Sequence, residues 1–348
     1  MKKSSLCIVG AAVALWLAAG CGPTASGDND AGQNGDAVNS HLREDGPEAG
    51  PQQDAAPWDA PPTTPKIVYA HTSTILLKGD PATSPLTLEE IGEFDCLGGT
   101  NPDSSMTDVA VDKDGNVFAV SRTAVYPLTL TNNTVHCGAR HVLPTEADYY
   151  GLTFAPANVL GQEETLVAAN SAGELYFIDY AQGESTLVGT FGTVPNDDGQ
   201  GHTYATANRG KDWELSGDIV FLENGGNWVG FATLCDCPNP PEKTNCNKTD
   251  TLVELDLTKL APNFTGSVVK SIKGQVVKSA TCSDPNNPDG YGSTYGIVAW
   301  QGTVFGFSNG GNLIEISNVD GSACLVENYA DYRFMGAGIT TTAPVIID

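Results

Sequence analysis

The chain has 348 residues, with 17 Lys and Arg against 42 Asp and Glu, and a formal net charge of −25 at pH 7. This acidic excess argues against a nucleic-acid partner, because such binding depends on cationic side chains that release counterions. It also argues against unaided adsorption to an anionic membrane surface. With 39 Gly, 21 Pro and apolar residues in short β-branched and aromatic runs, the composition favours an all-β protein with many turns.

The first 21 residues have the three parts of a secretory signal. Lys2 and Lys3 supply positive charge, residues 6–19 are apolar, and the small residues 18–20 precede Cys21. The apolar stretch is shorter than the about 20 residues that cross a bilayer. We therefore predict export and removal of this segment.

The segment LAAGC, residues 17–21, resembles the lipobox of bacterial lipoproteins, although Ala18 stands where the family has Leu, and Leu precedes it. The resemblance implies that residues 1–20 are a signal peptide and that Cys21 is lipidated and anchors the protein in a membrane. Gly22, in place of the Asp that retains enterobacterial lipoproteins in the inner membrane, favours the outer membrane or cell surface of a Gram-negative bacterium. The alternative is a plain signal peptide that leaves Cys21 as an ordinary thiol.

Residues 22–65 are rich in Gly, Pro, Asp, Asn, Gln and Ala, and Trp58 is their one aromatic. Such a stretch cannot bury enough apolar surface to offset its chain entropy, so it is expected to be disordered. Residues 21–65 would then form an acidic tether. A flexible chain of about 44 residues has an end-to-end distance of roughly 35–40 Å.

After residue 65 the chain gives one pattern four times, an apolar strand followed by a turn and three further short strands. The opening strands are predicted at residues 106–111, 150–155, 215–221 and 294–300. Second strands begin at residues 116, 165, 227 and 303, third strands at 123, 174, 251 and 312, and fourth strands at 133, 185, 267 and 323. Repeated four-stranded units of this kind are similar to the blades of β-propellers.

The two ends of this region complete a fifth unit. Residues 336–344 give an opening strand without successors. Three further strands without an opener are predicted at residues 66–71, 73–79 and 87–94. Joining them resembles the closure that many β-propellers use, and it removes open sheet edges. We predict a five-bladed propeller over residues 66–348, with the strand at 338–342 antiparallel to 67–70.

Two other folds remain open, a six-bladed ring with a degenerate blade within residues 192–213, and an unrelated β-sandwich or barrel. No WD or kelch signature is present. The turn at residues 112–116, DKDGN, is similar to the turns of NHL-type blades. It also resembles the start of a calcium loop, but Thr123 stands where the loop needs Glu, so a tight turn is the better interpretation. Calcium is the one possible cofactor.

The longest connections are predicted to share one face. In propellers the fourth-to-first and second-to-third connections lie together, and here these include residues 96–105, 192–213, 235–250 and 282–293. Long loops in a compact domain are usually functional, so we expect a binding face around this mouth of the central channel. Aromatic rings mixed with Asp and Asn suit a glycan or a peptide. The predicted ligand-face residues are His202, Tyr204, Trp213, Tyr291, Tyr295 and Tyr332.

An exported protein can form disulfides. Cys96 and Cys137 end fourth strands of neighbouring predicted blades, and Cys282 and Cys324 lie near two other such ends. We predict that both pairs are disulfides between blades.

Three further cysteines share one long loop. We expect one local disulfide there, assigned to Cys235 and Cys246, although pairing of Cys237 with Cys246 stays open. A zinc site is a further alternative, but the spacing is not that of a standard finger and the loop contains no His. No metal ligand is assigned.

The sequence contains no G-x-S-x-G nucleophile elbow and no phosphate loop. Some five-bladed propellers are glycoside hydrolases with acids at their inner strands, and Asp108, Glu214 and Asp218 lie at or near such strands. Asp108 and Asp218 are therefore the catalytic candidates. The predicted function is nevertheless that of a monomeric, membrane-anchored module that binds a glycan or a protein, with a hydrolase as the alternative.

Overall fold

The computed structural model describes residues 66–343, apart from residues 132, 145–146, 225 and 238–246. The predictions for the signal peptide, Cys21, the tether and Cys246 lie outside the described residues. No helix in the described part of the chain has the length and apolarity that crossing a bilayer requires.

The described strands form five antiparallel sheets, each with a path of four strands. Blade 1 contains β1 (Val68–His71), β2 (Ile75–Gly79), β3 (Glu89–Glu93) and β21 (Gly336–Ile339). Blade 2 contains β4 (Met106–Val111), β5 (Val117–Ser121), β6 (Ala124–Thr131), β7 (Thr134–Cys137) and the short β8 (His141–Val142). Blade 3 contains β9 (Tyr149–Ala155), β10 (Thr165–Asn170), β11 (Glu174–Asp179) and β12 (Glu184–Thr190).

Blade 4 contains β13 (Glu214–Asn224), β14 (Asn227–Cys235), β15 (Thr251–Leu255) and β16 (Val269–Gln275). Blade 5 contains β17 (Thr294–Trp300), β18 (Thr303–Ser308), β19 (Asn312–Ile316) and β20 (Ala323–Asn328). A 3₁₀ turn at Leu257–Lys259 follows β15. The protein is therefore an all-β, five-bladed propeller, as predicted, and neither a sandwich nor a six-bladed ring.

Ring closure takes place within blade 1. Strand β21 pairs antiparallel with β1, from Val68 opposite Ile339 to His71 opposite Gly336. The predicted closure is confirmed, and the strand begins at residue 336 as predicted, although residues 336–339 pair with β1 instead of the predicted 338–342. This pairing gives β1 a partner on both edges, since β2 pairs with its other side.

The blades pack face to face through alternating apolar side chains. Leu175 of blade 3 and Ile219 of blade 4 belong to one buried cluster, for example, and Ile297 of blade 5 belongs to the next. The inner strands are buried on both faces, and every residue of β4 is buried. Near-continuous apolar runs such as that of β17 are expected for strands enclosed in this way.

Residues 192–213 form a folded loop instead of a sixth blade. Two isolated bridges hold it, Thr193 with Asp212 and Asp197 with Thr203. A connection of this length needs apolar contacts of its own, and Tyr204 packs edge to face on Trp213 with ring centroids 5.2 Å apart.

Two predicted disulfides are confirmed. Cys96–Cys137 joins blade 1 to blade 2, and Cys282–Cys324 joins blade 4 to blade 5, each with Cα atoms 5.6 Å apart. That separation is usual for disulfides.

The prediction for Cys235 is wrong. Cys235 has a free thiol, whereas Cys237 is disulfide-bonded, and the partner of Cys237 lies outside the described residues. Cys235 is the last residue of β14, where it pairs with Glu214 of β13. Its backbone is held in the sheet, and its Sγ donates a hydrogen bond of 3.7 Å to Glu214 Oε2.

Candidate binding site at the channel mouth

A cavity of about 550 Å³ opens where the inner strands begin. All five blades contribute to it: Thr107 from β4, Tyr150 from β9, Glu214 from β13, Tyr295 from β17, and Met335 directly before β21. The cavity therefore lies on the ring axis, at one mouth of the central channel.

The remaining walls come from connections that end at the same mouth. Arg122 follows β5, Lys248 and Asp250 precede β15, and Ser293 precedes β17. These are second-to-third and fourth-to-first connections, the class that the sequence analysis placed on the binding face.

Two carboxyl groups lie at the inner end of the cavity. Glu214 is 4% exposed and Asp250 is 3% exposed. Asp250 Oδ1 accepts a 2.6 Å hydrogen bond from Ser216 Oγ, and its Oδ2 accepts one of 2.7 Å from the backbone N–H of Thr294. Burial raises the pKa of Asp250 above its usual value. Asp250 is thus held by the protein, whereas Glu214 presents its carboxyl oxygens at a largely buried surface, where a hydrogen bond to a ligand is stronger than in water.

The Cys235 thiol also lines this cavity. Burial, together with the negative charges of Glu214 and Asp250, raises the pKa of the thiol well above its usual value. Because the thiolate is the nucleophile, a thiol held in its protonated form is inert. The arrangement does not suit thiol catalysis.

Cations and aromatic groups lie nearer the rim. Arg122 Nη1 lies 3.4 Å from Asp148 Oδ2, and Lys248 Nζ lies 3.3 Å from Asp289 Oδ2. The Tyr150 hydroxyl donates to the same Asp148 Oδ2 at 3.2 Å, and burial raises the pKa of Tyr150 to about 12. The rim cations are therefore offset by acids, while Tyr150 stays neutral.

Of the six predicted ligand-face residues, Tyr295 lines the cavity. The prediction is wrong for Tyr204, Trp213 and Tyr291, which are 2%, 2% and 1% exposed. Their rings fill the core beneath the long loops. The Tyr204 hydroxyl shares a hydrogen bond with Thr251 Oγ1, and the Tyr291 hydroxyl donates to Asp284 Oδ2.

His202 and Tyr332 are more accessible but are not among the residues that line the cavity. His202 Nδ1 lies 2.8 Å from Asp198 Oδ2 within the folded loop. Tyr332 packs on Phe334 and points its hydroxyl toward Glu90, 3.5 Å away. Both residues belong to loop structure outside the cavity.

The predicted catalytic pair is brought together, but in a form that excludes the predicted role. Asp108 and Asp218 are 0% and 2% exposed. Asp108 accepts hydrogen bonds from the backbone N–H groups of Val109 and Leu152, at 2.8 and 2.7 Å. The two carboxyl groups are also hydrogen-bonded to each other. A glycosidase needs its two carboxyls about 5–10 Å apart on either side of the substrate. The prediction that Asp108 and Asp218 form a catalytic pair is therefore wrong, because no substrate fits between them.

Three residues of the site, Tyr150, Arg122 and Asp250, were not predicted from the sequence. The signal that could have found them is positional. Residues that begin an opening strand, or that lie in a second-to-third connection, must come to the channel mouth once the chain is divided into blades.

In the turn at residues 112–116, which resembles the start of a calcium loop, the first carboxylate accepts hydrogen bonds from the backbone of the turn itself. Asp112 Oδ1 accepts from the N–H groups of Asp114 and Asn116, at 2.9 and 2.8 Å. Its Oδ2 accepts from the Asn116 side chain at 2.7 Å. These are the bonds of a tight turn.

The fold and the site define a five-bladed β-propeller with a polar cavity at one end of its channel. No family model matches the chain, and no curated protein matches it. It is similar to a solved protein of unknown function from Bacteroides caccae, at 10% identity and a TM-score of 0.42, covering 79% of this chain and 99% of that one. It is also similar to one from Bacteroides thetaiotaomicron, at 16% identity and a TM-score of 0.38, covering 70% of this chain and 54% of that one. These likenesses are too distant to indicate a function.

Proposed function

We propose that this protein is a binding module, exported and held at a membrane by lipid on Cys21, which takes a glycan or protein ligand in the mouth cavity. The observation that carries the proposal is the cavity itself, about 550 Å³ and lined by residues of all five blades. Its volume falls within the roughly 300–1,000 Å³ that is usual for ligand sites.

The lining suits a ligand that is polar but has flat apolar faces. Glu214 offers carboxylate oxygens to hydroxyl or amine donors, and Tyr150 and Tyr295 offer rings on which a sugar or peptide side chain can pack. A protein ligand would enter as an exposed segment with hydroxyl or basic side chains.

The binding claim is tested by probing an array of glycans and peptides with the full chain. We expect Tyr295→Ala to weaken binding of any ligand so found by about tenfold or more, because it removes ring contact within the cavity. Tyr332→Ala is the matched control, since that tyrosine lies on a loop outside the cavity, and its affinity should stay within about twofold of wild type. Equal losses in both variants would place the ligand elsewhere.

The anchor is tested separately. Cys21→Ser should move the protein from the detergent phase to the aqueous phase, and the mass of the wild-type N-terminus should include acyl chains on Cys21. A plain signal peptide predicts aqueous partitioning of both proteins.

A second candidate function is a glycoside hydrolase-like enzyme. The observation in its favour is that Glu214 and Asp250 line the same cavity and that burial raises the pKa of Asp250, as a general acid requires. Each glycan bound on the array is therefore incubated with the protein and examined for cleavage. Cleavage that Glu214→Gln abolishes, with binding retained, would favour the enzyme, and an intact glycan would favour the binding module.

A further inference from the structure

The carboxyl groups of Asp108 and Asp218 meet on the ring axis, beyond the mouth cavity. Asp108 lies on β4 of blade 2 and also accepts the backbone N–H of Leu152, in blade 3. Asp218 lies on β13 of blade 4 and also accepts the backbone N–H of Ile297, in blade 5. The pair therefore connects four of the five blades at one point.

Glycines on three inner strands allow close packing around the pair. A Cβ at Gly336, on the inner strand of blade 1, would lie 2.3 Å from Asp108 Oδ1. A Cβ at Gly151 would lie 2.6 Å from Leu215 Cδ2, and one at Gly296 would lie 2.2 Å from the backbone nitrogen of Ala337. Glycine at position 336 therefore leaves the space that the Asp108 carboxyl occupies, and the other two glycines let the inner strands of blades 3 and 5 pack closely on those of blades 4 and 1.

Two carboxyl groups can donate a hydrogen bond to each other only if one of them carries a proton. Burial raises the pKa of both groups well above the usual value for Asp, and the negative charge of Asp218 raises that of Asp108 further. Two carboxylates in contact, both withdrawn from water, would repel each other without compensation.

The surrounding elements supply no cation. The strands β1, β4, β5, β9, β13, β14, β17 and β21 contain no Lys or Arg. Their other titratable side chains are Tyr69, His71, Tyr149, Tyr150, Glu214, Glu223, Cys235 and Tyr295.

His71 lies beside the pair, since its Nε2 and Asp108 Oδ1 approach the same face of Gly336. Its Nδ1 is 2.7 Å from the carbonyl oxygen of Thr72, so Nδ1 carries the hydrogen and Nε2 is an acceptor. Burial lowers the pKa of His71 to about 4. The imidazole is therefore neutral at neutral pH and does not compensate a second negative charge.

We propose that the propeller axis is a proton-binding site, in which Asp108 and Asp218 share one proton while the ring is closed and release it when the ring opens. In the unfolded chain both groups have a pKa near 3.9 and are ionised at neutral pH. Folding then takes up one proton. The stabilisation is complete below the unfolded pKa and declines as pH rises toward the higher pKa of the folded pair.

The test compares the urea unfolding of the full chain with that of Asp218→Asn between pH 5 and pH 9. The Asn amide can donate to the Asp108 carboxylate in place of the shared proton, and it carries no negative charge, so this variant binds a proton at the axis less tightly than wild type does. We expect the unfolding equilibrium constant of wild type, divided by that of the variant, to rise about tenfold per pH unit until the pair ionises.

Glu223→Gln is the matched control, because Glu223 is an exposed acid on the same strand, and its curve should run parallel to wild type. Parallel curves for wild type and Asp218→Asn would overturn the proposal.

A second measurement does not depend on the variants. Unfolding wild type in unbuffered solution near pH 7.5 should release about one proton per chain, and the infrared C=O stretch of a protonated carboxyl should be present before unfolding and absent after it. No proton release and no such band would also overturn the proposal.

Discussion

Strand β13 carries two buried acids, Glu214 and Asp218, that differ little in exposure, 4% against 2%. Glu214 lines the mouth cavity and accepts from a thiol. Asp218 is enclosed and accepts from the backbone N–H groups of Ile219 and Ile297 and from Asp108. The comparison shows that position on an inner strand does not make an acid functional. What separates the two is whether a ligand can reach the oxygen atoms or whether neighbouring blades already occupy them.

The largest expected effect on stability comes from deleting β21, the strand that closes the ring. Deleting residues 336–348 removes β21, which leaves β1 with an open edge and takes Gly336 away from Asp108. We expect a loss of more than about 5 kcal/mol, which is comparable with the whole stability of many domains. Deleting residues 22–65 should leave the midpoint of thermal unfolding unchanged. Equal melting of both deletions and the full chain would contradict ring closure.

Asp218→Ala should remove the contact with Asp108 at the ring axis while leaving the mouth cavity intact. It removes the partner of a buried acid and leaves the N–H groups of Ile219 and Ile297 without their acceptor, a loss of about 3–5 kcal/mol. Glu223→Ala, on the exposed part of the same strand, should change the free energy of unfolding by less than about 0.5 kcal/mol. Urea titration measures both, and similar values would mean that Asp218 contributes little to the ring.

Adding a single methyl group beside the Asp108 carboxyl should also lower the stability of the protein. In Gly336→Ala the new Cβ would lie 2.3 Å from Asp108 Oδ1 and 2.4 Å from His71 Nε2, so the inner strands must move apart. We expect a loss of about 1–3 kcal/mol. The control is Gly161→Ala, where the nearest atom would be 3.7 Å away. A Gly336→Ala protein as stable as this control would show that the axis has spare room.

The smallest effect is expected at the mouth thiol. Because burial and nearby acids raise the pKa of Cys235, its alkylation at pH 8 should be slow in the folded protein and fast after unfolding. Cys235→Ser should cost less than about 1 kcal/mol, since the hydroxyl can donate to Glu214 as the thiol does. Rapid alkylation of the folded protein, located by peptide mapping, would show an ionised thiol.

Much of the fold could be predicted because its signals are local. The strands Thr294–Trp300 and Thr303–Ser308 agree with the prediction residue for residue, since apolar runs bounded by turn residues define them. The incomplete units at the two ends predicted the closing sheet. The two disulfides between blades followed from the blade assignment and not from the cysteine spacing alone.

For the site, the sequence predicted which face of the propeller carries it but not which side chains line it. A sequence pattern places a loop at the channel mouth but does not say which side chains turn inward, and Tyr204, Trp213 and Tyr291 became the core of their own loops. The contact between Asp108 and Asp218 joins residues more than a hundred positions apart across a ring, and no local pattern encodes it.

The central claim is that Glu214 serves ligand binding in the mouth cavity and Asp218 serves stability at the ring axis. The most direct test measures both unfolding and ligand binding in two variants of β13. We predict that Glu214→Gln keeps the wild-type free energy of unfolding within about 1 kcal/mol and loses affinity for the array ligand about tenfold, since it changes an acceptor within the cavity. Asp218→Ala should do the reverse, with lower stability and, at temperatures where it remains folded, unchanged affinity. A Glu214→Gln protein that unfolds readily but binds normally, or an Asp218→Ala protein that is stable but cannot bind, would contradict the assignment of the two acids.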